Sequence, residues 1–367
     1  MPVVHSTTFR LDDEAYARML SGRTHDALIY TRIRNPSLDV VQHRIARLEG
    51  AGRAIVFASG MAAIHAAVMS CIAKGGRLVA HSEIYGSAWD LFANLLAPLG
   101  IEAHFVDLAD PDVRAREIAA AKPAVVYVES ISNPTMSVAD LPAIAQAAHK
   151  HGAALIVDAT FATPILQQPL ALGADLVVHS ATKYMGGHSD LVGGCVAGAE
   201  TRMAGVYRWM QLAGGCMDPH AAFLLDRGLK TLPLRMKAHV ENATRIARWL
   251  DLHPRVESVL YPGLVTHPSH DTGRRVLSAP GGMLSFVVEG GDEAALRFVR
   301  RLGLALEASS LGGVETLVSL PFNTSHARLS HEQRLEGGIP PGLVRVSVGI
   351  EDAQDLIDDF ENALAAT

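Results

Sequence analysis

Residues 174–190 have the sequence ADLVVHSATKYMGGHSD, in which an apolar run ends in small hydroxylated residues and a single lysine, Lys183. The run at residues 176–178 is rich in β-branched side chains and predicts a buried strand. Burial at the end of such a strand lowers the pKa of a lysine towards the neutral amine, which can attack an aldehyde. Lys183 is therefore a candidate Schiff-base lysine. A strand-end lysine that simply reaches solvent is the commoner case, so the rest of the sequence must distinguish the two.

Similar apolar runs recur before this stretch and alternate with segments of helical periodicity. The predicted strands cover residues 54–57, 77–80, 124–128, 154–157 and 176–178, and the predicted helices cover about residues 38–48, 61–73, 89–99 and 142–151. The strands are continuously apolar, so both faces of the sheet are expected to be buried. This pattern predicts an α/β fold with a mainly parallel sheet and helices on both faces.

The pattern changes after about residue 232. A helix is predicted for about residues 234–252 and a strand for 256–260, while residues 284–288 and 343–348 alternate as strands with one solvent-facing side do. The last segment, residues 353–365, is amphipathic. We therefore predict an N-terminal arm (1–35), a large domain (36–232) and a smaller C-terminal α+β domain (233–367).

The composition and charge of the chain exclude several classes of function. The chain has 367 residues, 49% of them hydrophobic, and a formal net charge of −6. This balance offers no basic surface for nucleic acid, and no apolar run has the length of a membrane span or forms a signal peptide. The three cysteines (Cys71, Cys195 and Cys216) have neither metal-site nor disulfide-framework spacing. We expect a cytoplasmic protein without metal, nucleic-acid or membrane partners.

Ser59-Gly60-Met61 lies between a predicted strand and a predicted helix. Free backbone N–H groups at a helix N-terminus, approached through a glycine, form a site suited to phosphate. A tight strand-to-helix turn is the structural alternative. The chain has no GxGxxG fingerprint after a strand, so a dinucleotide site is not expected.

Asp158 follows the predicted strand 154–157, as Lys183 follows the strand 176–178. Ligands of open α/β sheets bind outside the carboxyl ends of the strands, where both side chains are expected. A carboxylate that keeps a pyridine nitrogen protonated is what pyridoxal phosphate requires as an electron sink. A helix cap is the alternative role for Asp158.

Two more side chains are candidates. Tyr85 follows another strand end, where its ring can stack on a cofactor, although most such tyrosines serve packing. Alternation in residues 343–348 places Val344 and Val346 on the buried side and Arg345 on the solvent-facing side. A guanidinium there can bind a substrate α-carboxylate through two hydrogen bonds. A plain surface arginine is the alternative.

The motifs together resemble the Cys/Met-metabolism (transsulfuration) family of pyridoxal-phosphate enzymes. They occur in the family's order over nearly the whole chain: YTRIRNP (30–36), SGM (59–61), SISNPT (130–135), VDATF (157–161), SATKY (180–184), SLGGVET (310–316) and RVSVGIED (345–352). The resemblance implies a pyridoxal 5′-phosphate cofactor. It also implies transferase fold type I, with a mainly parallel seven-stranded sheet and a smaller C-terminal domain.

The resemblance implies a role for each matching residue. Lys183 would bind the cofactor covalently and move protons, Asp158 would pair with the ring nitrogen, and Tyr85 would stack on the ring and protonate the leaving group. The other implied cofactor contacts are Gly60, Met61, Asn133, Ser180 and Thr182, with Tyr30 and Arg32 from a neighbouring subunit of a homotetramer. The implied substrate contacts are Ser310, Arg345, Ser309 and Tyr30.

The activity that the resemblance favours is α,γ-elimination from a homoserine- or homocysteine-type amino acid, giving a 2-oxo acid and ammonia. A γ-replacement transferase is the close alternative, and a β-eliminating carbon–sulfur lyase is the third. A non-catalytic scaffold that kept the fold is the contrasting class, and the presence of Lys183, Asp158 and Arg345 argues against it.

The chain departs from the family pattern around the distal substrate pocket. Ala159 stands where the family usually has Asn. After the Tyr85-Gly86 pair, this chain has Ser87-Ala88-Trp89 where the family usually has Gly-Thr or Cys-Thr. Ser309 occupies a position where cystathionine lyases often carry Glu, and residues 320–326 (LPFNTSH) differ from the usual HPASMTH. The sequence therefore does not determine the substrate.

Overall fold

The computed structural model describes residues 1–324, 327 and 330–367. Seven strands form the larger sheet, in the order β1-β7-β6-β5-β4-β2-β3. Their bounds are β1 Arg53–Phe57, β2 Arg77–His81, β3 Glu102–Val106, β4 Val125–Glu129, β5 Ala154–Asp158, β6 Leu176–Ser180 and β7 Gly194–Gly198. β7 pairs antiparallel with both β1 and β6, and the other pairs are parallel. The predicted α/β fold with a mainly parallel seven-stranded sheet is confirmed.

The helices of the first half of the chain are α1 Asp13–Leu20, α2 Pro36–Glu49, α3 Gly60–Cys71, α4 Gly86–Asp90, α5 Pro111–Ala121, α6 Leu141–Lys150 and α7 Thr163–Leu166. Those of the second half are α8 Glu200–Ala213, α9 Pro219–Leu229, α10 Leu232–Leu250, α11 His270–Val276, α12 Gly291–Arg301, α13 His331–Glu336 and α14 Ala353–Leu364. The helix predicted for about residues 38–48 is present as α2, whose first turn is capped by the Asn35 side chain and which ends at Gly50, at φ 63°, in the left-handed conformation.

Both faces of the large sheet are buried, as continuously apolar strands predict. In β1, Ile55 packs into the core formed with α3 and α8, and its neighbour Val56 packs into the core formed with α2. Ile144 of α6 packs over the opposite face of the central strands. The carboxyl ends of β4, β5 and β6 consequently form an edge between two helical layers, which is where α/β proteins bind ligands.

The second sheet has the order β10-β11-β12-β9-β8. Its strands are β8 Val256–Leu260, β9 Met283–Val288, β10 Leu306–Glu307, β11 Leu317–Ser319 and β12 Leu343–Ser347. Phe286, Phe298 and Phe360 pack edge-to-face or tilted where α12 and α14 cover this sheet. The predicted helix, strands and amphipathic C-terminal segment of this region are present.

The prediction of a solvent-facing side on β9 and β12 is wrong. Every residue of both strands is buried, and Arg345 is only 8% exposed. The second face lies against loops of the large sheet, where the Ser285 hydroxyl donates a 2.8 Å hydrogen bond to the carbonyl of Pro134. Polar residues alternate along these strands because they face the region between the two sheets rather than water.

The helix predicted for residues 89–99 is also different. It divides into α4 and two further short turns, Leu91–Leu95 of π type and Ala97–Leu99 of 3₁₀ type. Pro98 has no N–H for an α-helical ladder, which accounts for the tighter final turn. Strands β3 and β7 were not predicted individually.

The N-terminal residues contact the start of α2. The Asn35 amide donates to the carbonyl of Val4 at 2.9 Å, and the Ser37 hydroxyl accepts from the N–H of Val4 at 2.9 Å. The two sheets lie on either side of residue 232, and the three-part domain division stays a prediction. Within the described residues, no helix is both long and apolar enough to cross a membrane.

Candidate active site

Lys183 lies in the turn that follows β6. Its N–H bonds the Ser180 carbonyl at 3.2 Å, and its own carbonyl accepts from Gly187 at 2.8 Å. The ε-amine donates a 2.6 Å hydrogen bond to the Ser310 hydroxyl. Burial, with the nearby charge of Arg345, lowers the pKa of Lys183 from 10.5 to about 8. A minor fraction of the amine is therefore neutral near pH 7, more than for an ordinary lysine, as the sequence predicted for a nucleophilic lysine.

Asp158 is the last residue of β5, and the residue is 9% exposed. Oδ1 accepts from the N–H of Thr160 at 2.9 Å and from its hydroxyl at 2.5 Å, while Oδ2 accepts from the Tyr127 hydroxyl at 3.3 Å. Burial raises the pKa of Asp158, and the two Thr160 bonds oppose that rise. A buried carboxylate with one firmly bonded oxygen can pair with a cationic ring N–H.

The N-terminus of α3 faces Ser180. The Ser59 hydroxyl caps the helix by accepting from Ala62 at 3.1 Å, and the N–H groups of Gly60 and Met61, in its first turn, have no intrahelical acceptor. A Cβ on Gly60 would lie 2.9 Å from the Ser180 Cβ. Only glycine allows this approach, which forms a cradle of N–H groups beside a hydroxyl.

Thr182 stands next to the cradle with a different partner. Its hydroxyl donates to the carbonyl of Gly193 at 3.2 Å and accepts from the N–H of the same residue at 3.0 Å. The hydroxyl therefore has to exchange one of these bonds in order to contact a phosphate, as the resemblance implies.

Arg345 of β12 reaches from the small sheet to the edge of the large one. Its guanidinium donates to Asn133 Oδ1 at 3.2 Å and to the Ser310 carbonyl at 2.9 Å, and its buried Nε has no partner among the described residues. Burial lowers the pKa of Arg345 to about 10. The structure thus joins Lys183, Ser310, Asn133 and Arg345 into one connected group.

Tyr85 lies at the N-terminus of α4, and the residue is 47% exposed. Its N–H donates a 2.6 Å hydrogen bond to the carboxylate of Glu129. Glu129 ends β4 and pairs in register with Asp158. Burial raises the pKa of Glu129 well above its usual value, and the neighbouring Asp158 adds to the rise. Tyr85 is therefore anchored beside the strand ends that carry Asp158.

Two predicted residues, Tyr30 and Arg32, make their hydrogen bonds outside this group. The Arg32 guanidinium donates to the carbonyl of Gln211 at 2.8 Å and lies over the ring of Tyr30. No hydrogen bond in the described part of the chain connects Tyr30 or Arg32 with the other predicted site residues. Ser309 is exposed, next to Ser310.

The residues that depart from the family pattern are placed as follows. Ala159 is fully buried in the core above α6, and Ser87 lines a surface groove of about 560 Å³ together with Met61 and His65. In the segment 320–326, Leu320 and Pro321 are buried. Ser325 and His326 lie outside the described residues.

These groups fit pyridoxal 5′-phosphate. The amides at the start of α3, with the Ser180 and Thr182 hydroxyls, are donors for a phosphate. The buried carboxylate of Asp158 matches a protonated ring nitrogen, and the amine of Lys183 matches an aldehyde. Donor, acceptor and nucleophile occur at the carboxyl edge of one sheet.

Sequence reasoning missed Thr160, Tyr127 and Glu129. Thr160 entered the sequence analysis only as a member of the VDATF motif (157–161). A threonine two residues after a strand-end aspartate is, however, a known pattern for a local hydrogen-bonded turn. Tyr127 and Glu129 had no sequence signal, because their contacts come from strand order: β4 lies beside β5.

Known pyridoxal-phosphate enzymes are similar to this chain over nearly its full length. The family model for the Cys/Met metabolism PLP-dependent enzyme matches residues 1–365. The chain is 40% identical to an L-methionine gamma-lyase of Pseudomonas putida over 373 aligned positions, covering 100% of this chain and 92% of the relative. It is 43% identical to an O-succinylhomoserine sulfhydrylase of Pseudomonas aeruginosa, covering 98% of this chain and 89% of the relative.

Among solved structures, the chain matches a cystathionine gamma synthase from Xanthomonas oryzae pv. oryzae, crystallised with aminoacrylate and cysteine, with a TM-score of 0.94. The two sequences are 39% identical, and the match covers 100% of this chain and 92% of the other. The protein is thus an enzyme that uses pyridoxal 5′-phosphate, with the fold of type I enzymes. This chain belongs to the Cys/Met metabolism family of PLP-dependent enzymes.

Proposed function

We propose that this enzyme is a lyase that performs α,γ-elimination on an amino acid with a heteroatom at Cγ, of the homoserine or homocysteine type. The products are a 2-oxo acid and ammonia. The similarity to an L-methionine gamma-lyase over the full chain supports the reaction class. The observation that carries the proposal is the 2.6 Å contact between Lys183 Nζ and Ser310, beside the Arg345 guanidinium.

That contact places the amine next to a group suited to an α-carboxylate. Arg345 binds the substrate carboxylate, exchanging its bonds to Asn133 and the Ser310 carbonyl and using its free Nε. The α-carbon then lies within reach of the Lys183 amine. Asp158 would keep the ring nitrogen of the cofactor protonated, and Asn133 would contact its 3′ oxygen. Gly60, Met61, Ser180 and Thr182 would hold the phosphate.

The reaction needs proton transfers at three substrate atoms. The cofactor supplies an electron sink that stabilises negative charge at Cα. The Lys183 amine would remove the proton from Cα and, after releasing that proton, would remove a proton from Cβ, because its lowered pKa leaves it able to accept a proton near neutral pH. Tyr85 would stack on the cofactor ring and protonate the heteroatom that leaves Cγ. The unsaturated product hydrolyses to the 2-oxo acid and ammonia.

A γ-replacement activity is the second candidate. The sulfhydrylase and the synthase among the similar proteins support it, since both names describe replacement enzymes. Replacement and elimination share every proton transfer up to loss of the leaving group, so Lys183 and Arg345 serve both. β-Elimination from cystathionine or cysteine is the third candidate. It requires removal of the Cα proton only, without removal of a proton from Cβ.

A panel of substrates tests the proposal. The holoenzyme is incubated with methionine, homocysteine, cystathionine, cysteine and an O-acylhomoserine, each with and without a thiol acceptor, and ammonia and 2-oxo acids are measured. Ammonia and 2-oxobutanoate without acceptor support the lyase. Product only in the presence of a thiol would reject it in favour of replacement, and pyruvate would indicate β-elimination. The Ser87→Cys, Ser309→Glu and Phe322→Ala variants test which positions select the leaving group.

We further propose a homotetramer in which Tyr30 and Arg32 complete the phosphate site of a neighbouring subunit. Tyr30 is 40% exposed, and neither residue joins the Lys183 group through a described hydrogen bond. Arg32→Ala and Lys183→Ala are expected to be inactive alone. Mixed, refolded subunits should regain about a quarter of the activity, since half of the pairs are hybrid and each hybrid has one intact site of two. No recovery would contradict shared sites, and a mass measurement gives the subunit number.

We place the enzyme in the cytoplasm. Cys71, Cys195 and Cys216 are all free thiols, which suits a reducing compartment. Cell fractionation with a tagged chain tests this, and recovery in a secreted fraction would contradict it.

A further inference from the structure

The Thr160 hydroxyl joins two parts of the candidate site. It donates a 2.5 Å hydrogen bond to Asp158 Oδ1 and accepts a 2.8 Å hydrogen bond from the N–H of Ser180. The Thr160 N–H also donates to the same Oδ1, at 2.9 Å. One side chain therefore connects the carboxylate that faces the cofactor ring with the strand end that faces its phosphate.

The direction of these bonds is fixed by the donors. A backbone N–H can only donate, so the Thr160 oxygen accepts from Ser180 and its single proton is available for Asp158. With two donors directed at it, Oδ1 has no need of a proton of its own, and the arrangement favours the ionised carboxylate. The other oxygen, Oδ2, accepts only the longer 3.3 Å bond from Tyr127.

Strand order explains why this position needs a bridge. Asp158 ends β5 and Ser180 ends β6, and the two strands are parallel neighbours whose register stops at Asp158 and Val178. The N–H of Ser180 lies beyond that register, and the Thr160 hydroxyl serves as its acceptor. Ala159, the residue between Asp158 and Thr160, brings no polar side chain to the carboxylate.

We propose that Thr160 is a positioning residue for the cofactor: its hydroxyl occupies Asp158 Oδ1, leaves Oδ2 available to the ring nitrogen, and fixes the spacing between Asp158 and Ser180. This inference rests on the proposed role of Asp158 and on no particular substrate. Thr160 itself does not touch the reacting atoms. It acts through the two residues that it connects.

The effect of Thr160 on the pKa of Asp158 must be separated from the effects of the other groups around Asp158. The titratable groups facing Asp158 are Tyr127 and Glu129 from β4, His179 from β6 and Cys195 from β7. His179 is fully buried and bonded to the fully buried Glu49 of α2. None of these contacts involves Thr160, so a substitution at Thr160 leaves them in place.

Three variants at this position test the proposal. Thr160→Val keeps the shape and removes the hydroxyl, Thr160→Ser keeps the hydroxyl, and Thr160→Ala is a smaller second form without it. The measurement is the dissociation constant of pyridoxal 5′-phosphate, followed by absorbance and fluorescence across a pH series. Thr244→Val is the matched control, since the Thr244 hydroxyl bonds Tyr261 at 2.8 Å in the small domain.

Thr160→Val and Thr160→Ala should bind the cofactor roughly 10- to 100-fold more weakly, the effect of losing a hydrogen bond to a charged group. The decline of affinity on acidification should begin at higher pH in both, because Asp158 then takes up a proton more readily. Thr160→Ser and Thr244→Val should match the wild type in both respects. These results are independent of which amino acid the enzyme cleaves.

Wild-type affinity and pH dependence in Thr160→Val would overturn the proposal. A Thr160→Ser variant as weak as Thr160→Val would also overturn it, since shape and not the hydroxyl would then matter. If Thr160→Val binds the cofactor more weakly but its affinity declines at the same acidic pH as in the wild type, Thr160 does not act through Asp158. Should Thr160→Val fail to fold, judged by circular dichroism, the Ser and Ala variants carry the same comparison.

Discussion

The ε-amine of Lys183 donates its hydrogen bond to Ser310, a residue whose backbone has a φ of 92°. Non-glycine residues rarely adopt such a conformation, and the surrounding structure must stabilise it. Two contacts do so here: the hydroxyl accepts from Lys183, and the carbonyl accepts from Arg345 at 2.9 Å. A strained residue thus holds the Lys183 amine and the Arg345 guanidinium in fixed relation.

Replacing Ser310 should separate strain from hydrogen bonding. Ser310→Ala removes the partner of Lys183 and should lower kcat about tenfold. Ser310→Gly should lower kcat by the same factor. Its free energy of unfolding should exceed that of Ser310→Ala by up to about 1 kcal/mol, since glycine adopts this φ without steric cost. Steady-state kinetics and urea unfolding measure both. Ser278→Ala, which loses a hydroxyl that donates to the carbonyls of Ile165 and Leu166 away from Lys183, is the control. Equal stability of the Gly and Ala variants would contradict the strain.

Lys183→Met should abolish turnover, by about 10⁴-fold or more, because the variant has no amine to move protons. It should also stabilise the cofactor-free chain. The folded-state pKa of Lys183 is about 8 against 10.5 ordinarily, so between these pH values the unfolded chain binds the extra proton. The free energy of unfolding of the wild type therefore rises from pH 8 to pH 10.5, and is lowest, relative to the variant, below pH 8.

Denaturant unfolding of the cofactor-free wild type and Lys183→Met as a function of pH checks this sign. Near pH 7 the variant should be more stable by about 1–2 kcal/mol, and the difference should diminish towards pH 10.5. Lys237→Met, at an exposed lysine that pairs with Glu241, should show no such trend. A wild type that is at least as stable as Lys183→Met near neutral pH would show that burial does not disfavour the charged amine.

Arg345→Lys should raise KM roughly 30- to 100-fold, because an ammonium cannot make the paired hydrogen bonds of a guanidinium to a carboxylate. The measurement is the dependence of initial rate on substrate concentration. Arg301→Lys, at an exposed position at the end of α12, is the control and should leave KM unchanged. An unchanged KM in Arg345→Lys would place the carboxylate site elsewhere.

Gly60→Ala should weaken cofactor binding roughly tenfold or more, because its new Cβ would lie 2.9 Å from the Ser180 Cβ and push the helix N-terminus away from the phosphate. Gly273→Ala in α11 is the matched control, since its Cβ would meet nothing closer than 3.6 Å. Equilibrium dialysis against pyridoxal 5′-phosphate gives both affinities. Equal binding by the two variants would mean that the α3 N-terminus is not the phosphate site.

Local sequence patterns predicted much of the fold. The apolar runs located five strands of the large sheet, and helical periodicity located the body of α2. Prediction failed where an element depended on its neighbours. The alternation of residues 343–348 gave the correct buried valines, but the opposite face is buried too, because it packs against the loops of the other sheet.

The sequence by itself determined the chemistry. A lone lysine after a buried strand, an aspartate after another and a glycine at a helix N-terminus are local features, each set by covalent order and short-range geometry. Tertiary structure alone decided how they act together. The parallel order of β4, β5 and β6 brings Glu129 beside Asp158 and the Ser180 N–H to Thr160, and the packing of two sheets brings Ser310 and Arg345 to Lys183. Hydrogen bonds between residues more than a hundred positions apart depend on that packing, and no local pattern specifies them.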